Sequence, residues 1–201
     1  MTPWYLPVAR AVPALAIAIV VTFSADHSAP LGFLTFGLYA ATAGALITVF
    51  AVRSTERGVG RGIRIALGLV TVVAGVVALA IPGAGLPFLV FLITAFAALS
   101  GFLELYLGLR ERGKNPASRD LVFVGAATAL FAIVVLLVPP GFVQSFTGPD
   151  GVARELTASV IVVGTMGAYL AIIGVYLVIA GLSLRWAPTP APAATSLTSE
   201  A

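Results

Sequence analysis

The sequence predicts an all-α polytopic membrane protein with six transmembrane helices, arranged as three two-helix hairpin repeats. Of its 201 residues, 60% are hydrophobic and only 9% are charged, whereas a soluble domain carries about a quarter charged residues. Six apolar stretches are long enough to cross a bilayer, for which ~20 residues suffice. Threading them through a membrane places ten of the eleven Lys and Arg residues on one side, which is then the cytoplasmic side.

The predicted spans cover residues 6–23, 31–52, 63–81, 86–109, 121–138 and 158–184. Arg10 and the apolar run after it also suit a signal peptide, but no small-x-small cleavage site follows, so we favour an uncleaved first span. Residues 1–186 form the predicted transmembrane domain. The Pro-, Ala-, Ser- and Thr-rich segment 187–201 is predicted to be a disordered tail, and both termini are predicted to be cytoplasmic.

The connections differ between the two sides of the predicted bundle. The loops 53–62 and 110–120 are short and basic, and the outer connections 25–30 and 82–87 are short turns. Only the outer loop 139–157 is long. Within it, Thr147-Gly148-Pro149-Asp150 is typical of a helix start, with Pro in the first turn and Asp near the positive end of the dipole. A last helix that began there would exceed the thickness of a bilayer.

An internal repeat relates the second span to the fourth. A shift of 57 residues aligns Ala40, Ala41, Gly44, Leu46 and Arg53 with Ala97, Ala98, Gly101, Leu103 and Arg110. Such self-similarity indicates hairpins repeated in parallel, each running out of the cytoplasm and back.

A family resemblance rests on a helix that ends in Pro, a short turn, and a helix with a small residue beside Gly and a terminal Arg. These residues are Ile81-Pro82-Gly83, Ser100-Gly101 and Leu109-Arg110. The pattern resembles the short membrane repeat of the acid-resistance protein HdeD and its bacterial relatives, most closely over residues 63–112. The resemblance implies a six-span protein of the bacterial inner membrane, with a role in envelope or acid-stress tolerance. It implies no catalytic residues.

Glu104 is the acidic residue inside a predicted span, ~8 Å from the cytoplasmic end by helical rise. Its helical neighbours Ala97, Ser100, Gly101 and Gly108 are small, so the carboxylate is expected to face a helix interface and not lipid. One interpretation is a structural carboxylate bonded to Ser or Tyr hydroxyls, or paired with a nearby arginine such as Arg53 or Arg185. A Glu104→Gln chain would then be at least as stable. The other interpretation is a proton or ion path.

The last span carries a stripe of small residues that we call the small-residue seam. Spacings of three and four place its members on one face of the helix. Such a stripe lets a neighbouring helix approach closely, either within the chain or in a homo-oligomer. The seam consists of Gly164, Gly167, Ala171, Gly174 and Gly181.

Other kinds of site lack the necessary residues. The chain has no cysteine, and its single histidine, His27, lies beside Asp26 but has no second His or Cys to complete a metal site. The glycine-rich segment 57–62 has no preceding strand, which a dinucleotide site requires. No catalytic group, cofactor or metal site is therefore predicted, nor is binding of nucleic acid. The basic loops instead favour contact with anionic lipid headgroups.

Two functions remain open. The first is a non-enzymatic integral membrane protein of the HdeD-like type, with the lipid bilayer and other copies of itself as partners. The alternative is a small oligomeric transporter or channel for protons or a small solute. It would use Glu104 and interior hydroxyls such as Thr94, Ser100, Thr128 and Tyr169. A water-accessible cavity that reaches Glu104 would favour transport.

Overall fold

A computed structural model describes residues 4–54 and 58–186. Each of six helices is long and apolar enough to cross a membrane. The six-span, all-α fold class is thus confirmed, and the chain is a multi-pass membrane protein whose helices lie in the bilayer. The predicted tail 187–201 lies outside the described residues. The elements are α1 (Tyr5–Phe23), α2 (Ala29–Arg53), α3 (Val59–Ala80), α4 (Leu86–Arg110), α5 (Ser118–Leu136), β1 (Val143–Thr147), β2 (Ala153–Thr157) and α6 (Ala158–Trp186).

The helix boundaries follow from proline and glycine. Pro30 and Pro87 lie in the first turns of α2 and α4, where the missing amide hydrogen has no intrahelical acceptor to lose. Pro82 follows directly after Ile81, the residue that caps α3. Gly85 precedes α4 with φ +84°, a conformation that favours glycine. The observed helices consequently begin and end within four residues of the predicted spans.

The bundle has two ends of different character. At the end that we call the basic end, α1, α3 and α5 begin and α2, α4 and α6 finish, and the basic α2–α3 and α4–α5 connections lie there. The opposite end, called the hairpin end, carries the antiparallel pair of β1 and β2. A larger share of α2, α4 and α6 is buried than of the three other helices, so these three surround the centre of the bundle.

The closest helix contacts join α2 to α3, α4 to α5, and α6 to α1. Each pair meets at a glycine. A Cβ atom on Gly44 would lie 2.6 Å from the amide nitrogen of Val72, and one on Gly101 would lie 2.9 Å from that of Ala129. The second contact repeats the first 57 residues further along the chain.

The third pair closes the ring, because α6 also packs on α1 at a glycine. A Cβ atom on Gly174 would lie 2.6 Å from the Leu15 side chain and 3.3 Å from the Leu15 amide nitrogen. The α6–α1 contact joins the two ends of the chain, whereas a short basic connection joins the partners in each of the other two pairs. The parallel repeat therefore produces a closed ring of three helix pairs.

The loop after α5 is a β-hairpin, and the predicted helix start at Thr147–Asp150 is wrong. Val143 pairs with Thr157 and Thr147 with Ala153, which leaves a tight turn between the strands. In that turn the Gly148 amide donates to the Val152 carbonyl at 2.9 Å. Gly and Asp favour turns as strongly as they favour helix starts. The β-branched residues on either side favour strands here.

The hairpin turn is held by an ion pair whose titration can be predicted. Arg154 Nη2 donates to Asp150 Oδ2 at 2.6 Å, and this bond lowers the pKa of Asp150 below its ordinary value of 3.8. Because the pKa of Asp150 is lower in the folded hairpin, the ion pair stabilises the turn at pH values above the ordinary pKa of 3.8. That stabilisation is lost as the pH falls through the lowered pKa. NMR titration of the carboxyl carbon should give a midpoint below 3.8, and Arg154→Gln should raise it.

Candidate functional site

The charged residues Arg10 and Glu104 form an ion pair inside the bundle. Arg10 Nη2 donates to Glu104 Oε1 at 2.6 Å and joins α1 to α4. The side chain of Glu104 is 4% exposed and that of Arg10 is 16% exposed. A carboxylate in an apolar bundle is costly unless a cation compensates it. Arg10 supplies that cation.

The two helices place these residues at the same depth. Arg10 is the sixth residue of α1, which begins at the basic end, and Glu104 lies six residues before Arg110, where α4 finishes at that end. At ~1.5 Å of rise per residue, each lies ~8–9 Å inside its helix end. This matched depth in two antiparallel helices was the sequence signal for the pair. It was missed because Arg10 was interpreted as a topology residue or as part of a signal peptide, and not as a partner of Glu104.

The predicted partners of Glu104 are elsewhere. Arg53 is exposed at the end of α2, and the guanidinium of Arg185 lies over the ring of Trp4, 4.9 Å from its centroid. Ser100 Oγ donates to the carbonyl oxygen of Phe96 at 2.7 Å within its own helix. The predicted pairing of Glu104 with an arginine is therefore confirmed by Arg10, but the named partners Arg53, Arg185 and a serine hydroxyl were wrong.

The small residues around Glu104 pack α4 against α5. A Cβ atom on Gly101 would lie 3.0 Å from the carbonyl oxygen of Gly125, and one on Gly108 would lie 2.8 Å from the amide nitrogen of Val122. Ala97 and Ser100 are buried on the same helix. The small face thus brings α5 close, while Glu104 itself reaches Arg10 on α1.

A small cavity of about 20 Å³ lies beside the ion pair, and Arg10 and Glu104 form part of its wall. This volume admits about one water molecule. The Thr128 and Tyr169 hydroxyls also line it and lie 2.8 Å apart. Ser100 lines it as well, whereas Thr94 does not. Thr94 Oγ1 is buried and has no hydrogen-bond partner among the described residues.

Toward the hairpin end the interior is mainly apolar, although Thr35 and the Thr94 hydroxyl are buried there. Phe36 and Phe96 meet edge to face with centroids 5.3 Å apart. Several large apolar side chains in this half are fully buried, namely Phe33, Leu89, Ile93, Met166, Val162 and Val163. Mostly apolar packing among the described residues therefore separates the ion pair from the hairpin end.

Toward the basic end the ion pair meets a cavity of about 460 Å³, which we call the vestibule. All six helices contribute to its wall. Its charged lining residues are Arg10, Arg53, Arg64 and Asp120, and most of the remaining wall is apolar. The vestibule reaches Arg10 but not Glu104, because Glu104 does not line it. The carboxylate is therefore covered by its own partner.

Two further arginines stabilise the rim of the vestibule. Arg64 Nη2 donates to both carboxylate oxygens of Glu111, at 2.8 and 2.7 Å. Arg61 donates to the carbonyl oxygens of Ala51 and Val52 at the end of α2, where a helix leaves carbonyls without intrahelical partners. Basic residues at this end therefore hold loops and helix ends as well as marking a side of the membrane.

The small-residue seam of α6 is covered by α1 over most of its length. A Cβ atom on Gly167 would lie 2.7 Å from the Val21 side chain, and one on Gly181 would lie 2.8 Å from the carbonyl oxygen of Trp4. Ala171 packs against the core at half burial. Gly164 is the exception, since no described atom lies within 4 Å of a Cβ at that position. The covered part of the seam is not a free surface for a second copy of the chain.

The comparisons with known proteins give one match. Residues 66–137 match the family described as a short repeat of unknown function, DUF308. The matched segment includes most of α3, all of α4 with Glu104, and all of α5. No curated protein and no solved structure matches the chain. The part of the chain that pairs α4 with α5 is thus similar to that repeat.

Proposed function

We propose that this chain is a non-enzymatic integral protein of a bacterial inner membrane, of the HdeD-like type, which supports envelope or acid-stress tolerance. The observation that carries the proposal is the ion pair of Arg10 and Glu104. The one acidic side chain buried within the spans is engaged by an arginine on another helix, so its charge serves to join two helices. The match of residues 66–137 to the short repeat is in keeping with the HdeD resemblance.

The proposed function includes an orientation in which the basic end faces the cytoplasm. Single introduced cysteines can test this orientation. The chain has no cysteine of its own, so every label reports an introduced position. Gln144→Cys lies in the exposed strand β1, and Lys114→Cys lies in an exposed basic connection. In intact cells a membrane-impermeant maleimide should label Gln144→Cys only, and Lys114→Cys should react after permeabilisation. Labelling of Lys114→Cys in intact cells would refute this orientation.

With that orientation, exposed basic residues meet the headgroups of the cytoplasmic leaflet. Arg110, Arg112, Lys114 and Arg119 are exposed at the basic end. Anionic lipids attract such residues with roughly 1 kcal/mol each near the surface.

The alternative function is transport of protons or a small solute, and the vestibule favours it, because an open cavity reaches Arg10. The apolar packing toward the hairpin end opposes it. Proteoliposome flux separates the two functions: the structural role predicts no proton or solute flux above that of protein-free liposomes at acidic pH. Flux that disappears in a folded Arg10→Leu/Glu104→Leu variant would instead establish transport through this pair.

A further inference from the structure

The vestibule has the size and wall of a site for a small apolar molecule. Its volume of about 460 Å³ falls in the ~300–1,000 Å³ range of ligand pockets, which are mostly lined by apolar side chains. All six helices meet around it, so rigid elements define its shape. The apolar wall includes Leu6, Ile47, Phe50, Leu67, Leu107 and Leu121.

Three arginines and one aspartate line the vestibule, and this excess of positive charge favours a ligand with one negative charge. Arg10 and Arg64 already have carboxylate partners in Glu104 and Glu111. Arg53 lines the cavity, is exposed, and has no ion pair within the described ranges 4–54 and 58–186. Arg53 is thus the lining arginine with no carboxylate partner within those ranges, and guanidinium groups bind carboxylates in fixed fork geometry.

The other charged groups that line the vestibule limit the charge that a ligand can carry. Asp120 also lines the vestibule and accepts a hydrogen bond from Tyr176 at 2.8 Å. Its negative charge disfavours a dianion. Arg10, at the base of the vestibule, uses one nitrogen for its bond to Glu104, and its positive charge disfavours a cationic ligand.

We propose that the vestibule binds a monocarboxylate with an apolar body, of the medium-chain fatty-acid class, which enters from the basic end. Arg53 neutralises the carboxylate, and the apolar wall takes up the chain. A cavity at the lower end of the ligand-pocket range suits a medium-length chain better than a long one. The inference goes beyond the proposed structural role, which requires no ligand and would stand if the vestibule bound nothing.

Calorimetric titration of the full chain in phosphatidylcholine nanodiscs with decanoate tests the proposal. Decanol and decylamine have the same chain without the negative charge. Decanoate should bind saturably at one site, and decanol and decylamine at least about tenfold more weakly, the loss expected for a missing charge-assisted bond. Equal affinity for decanol and decanoate, or equal uptake by empty nanodiscs, would overturn the proposal.

Three variants locate the site. Arg53→Gln breaks no ion pair among the described residues and should weaken decanoate binding at least about tenfold. Leu121→Trp should weaken decanoate binding by narrowing the vestibule. Arg112→Gln removes an equal charge from an exposed residue that does not line the vestibule, and it should bind as the wild type does. Undiminished binding of decanoate by a folded Arg53→Gln chain would overturn the proposal. Complete displacement of decanoate by phosphatidylglycerol in the nanodisc would also overturn it, because the occupant would then be a membrane lipid.

Discussion

Replacing Arg10 with leucine is expected to destabilise the folded bundle by about 3–5 kcal/mol, the cost of leaving one member of a buried ion pair without its partner. Glu104 is 4% exposed and receives its charge-assisted bond from Arg10. Without the guanidinium its carboxylate must remain charged in an apolar interior or take up a proton. Titration with SDS in mixed micelles measures the loss of unfolding free energy.

The matched control is Arg112→Leu, since Arg112 is an exposed arginine at the same end of the bundle. Its replacement should change stability by less than ~0.5 kcal/mol. Equal stability of the two variants would show that the ion pair does not hold α1 to α4. The pair also reverses the expectation for Glu104→Gln: this substitution leaves Arg10 charged without a carboxylate, so it should destabilise the bundle.

Replacing Gly44 with leucine is expected to destabilise the bundle by about 3 kcal/mol or more, at the upper end of overpacking effects. A Cβ atom there would lie 2.6 Å from the amide nitrogen of Val72 and 2.8 Å from the carbonyl oxygen of Gly68. Both are backbone atoms, so the clash cannot be relieved by a side-chain rotation. The helices α2 and α3 would have to separate, and α2 is one of the three helices around the centre.

Gly164 provides the control for Gly44→Leu, because a Cβ atom at Gly164 has no described neighbour within 4 Å. Leucine favours the helix over glycine by roughly 0.5–1 kcal/mol, so Gly164→Leu should hold or raise stability in the same assay. If Gly44→Leu were as stable as Gly164→Leu, the close approach of α2 and α3 would be refuted.

The spans could be predicted from sequence because the length of an apolar run and the position of proline are local properties. Pro30, Pro82 and Pro87 lie within a few residues of helix ends in the structure. The 57-residue repeat could also be recognised, since Gly44 and Gly101 make equivalent contacts. These signals need no knowledge of which helices touch.

The pairing of helices could not be predicted in the same way. The contact of α6 with α1 joins the two ends of the chain, and no connecting loop indicates it. The hairpin at Val143–Thr157 was missed because glycine, proline and aspartate start helices and form turns alike.

Of the two residues that form the candidate site, one could be predicted from the sequence. Glu104 stood out as a carboxylate inside an apolar run, a property of one segment. Its partner Arg10 belongs to a helix 94 residues away in sequence, and it was counted among the cytoplasmic charges. The depth of Arg10 relative to Glu104 was available from the spans. The choice among several arginines required knowing that the Arg10 side chain reaches α4.

The central claim is that Arg10 and Glu104 act together as a structural ion pair. A double-mutant cycle with Arg10→Leu, Glu104→Leu and the double variant measures it most directly. Because a buried ion pair can often be replaced by apolar residues without loss, the double variant should unfold within ~1 kcal/mol of the wild type, while each single variant loses about 3–5 kcal/mol. A double variant whose loss equals the sum of the two single losses would contradict the claim.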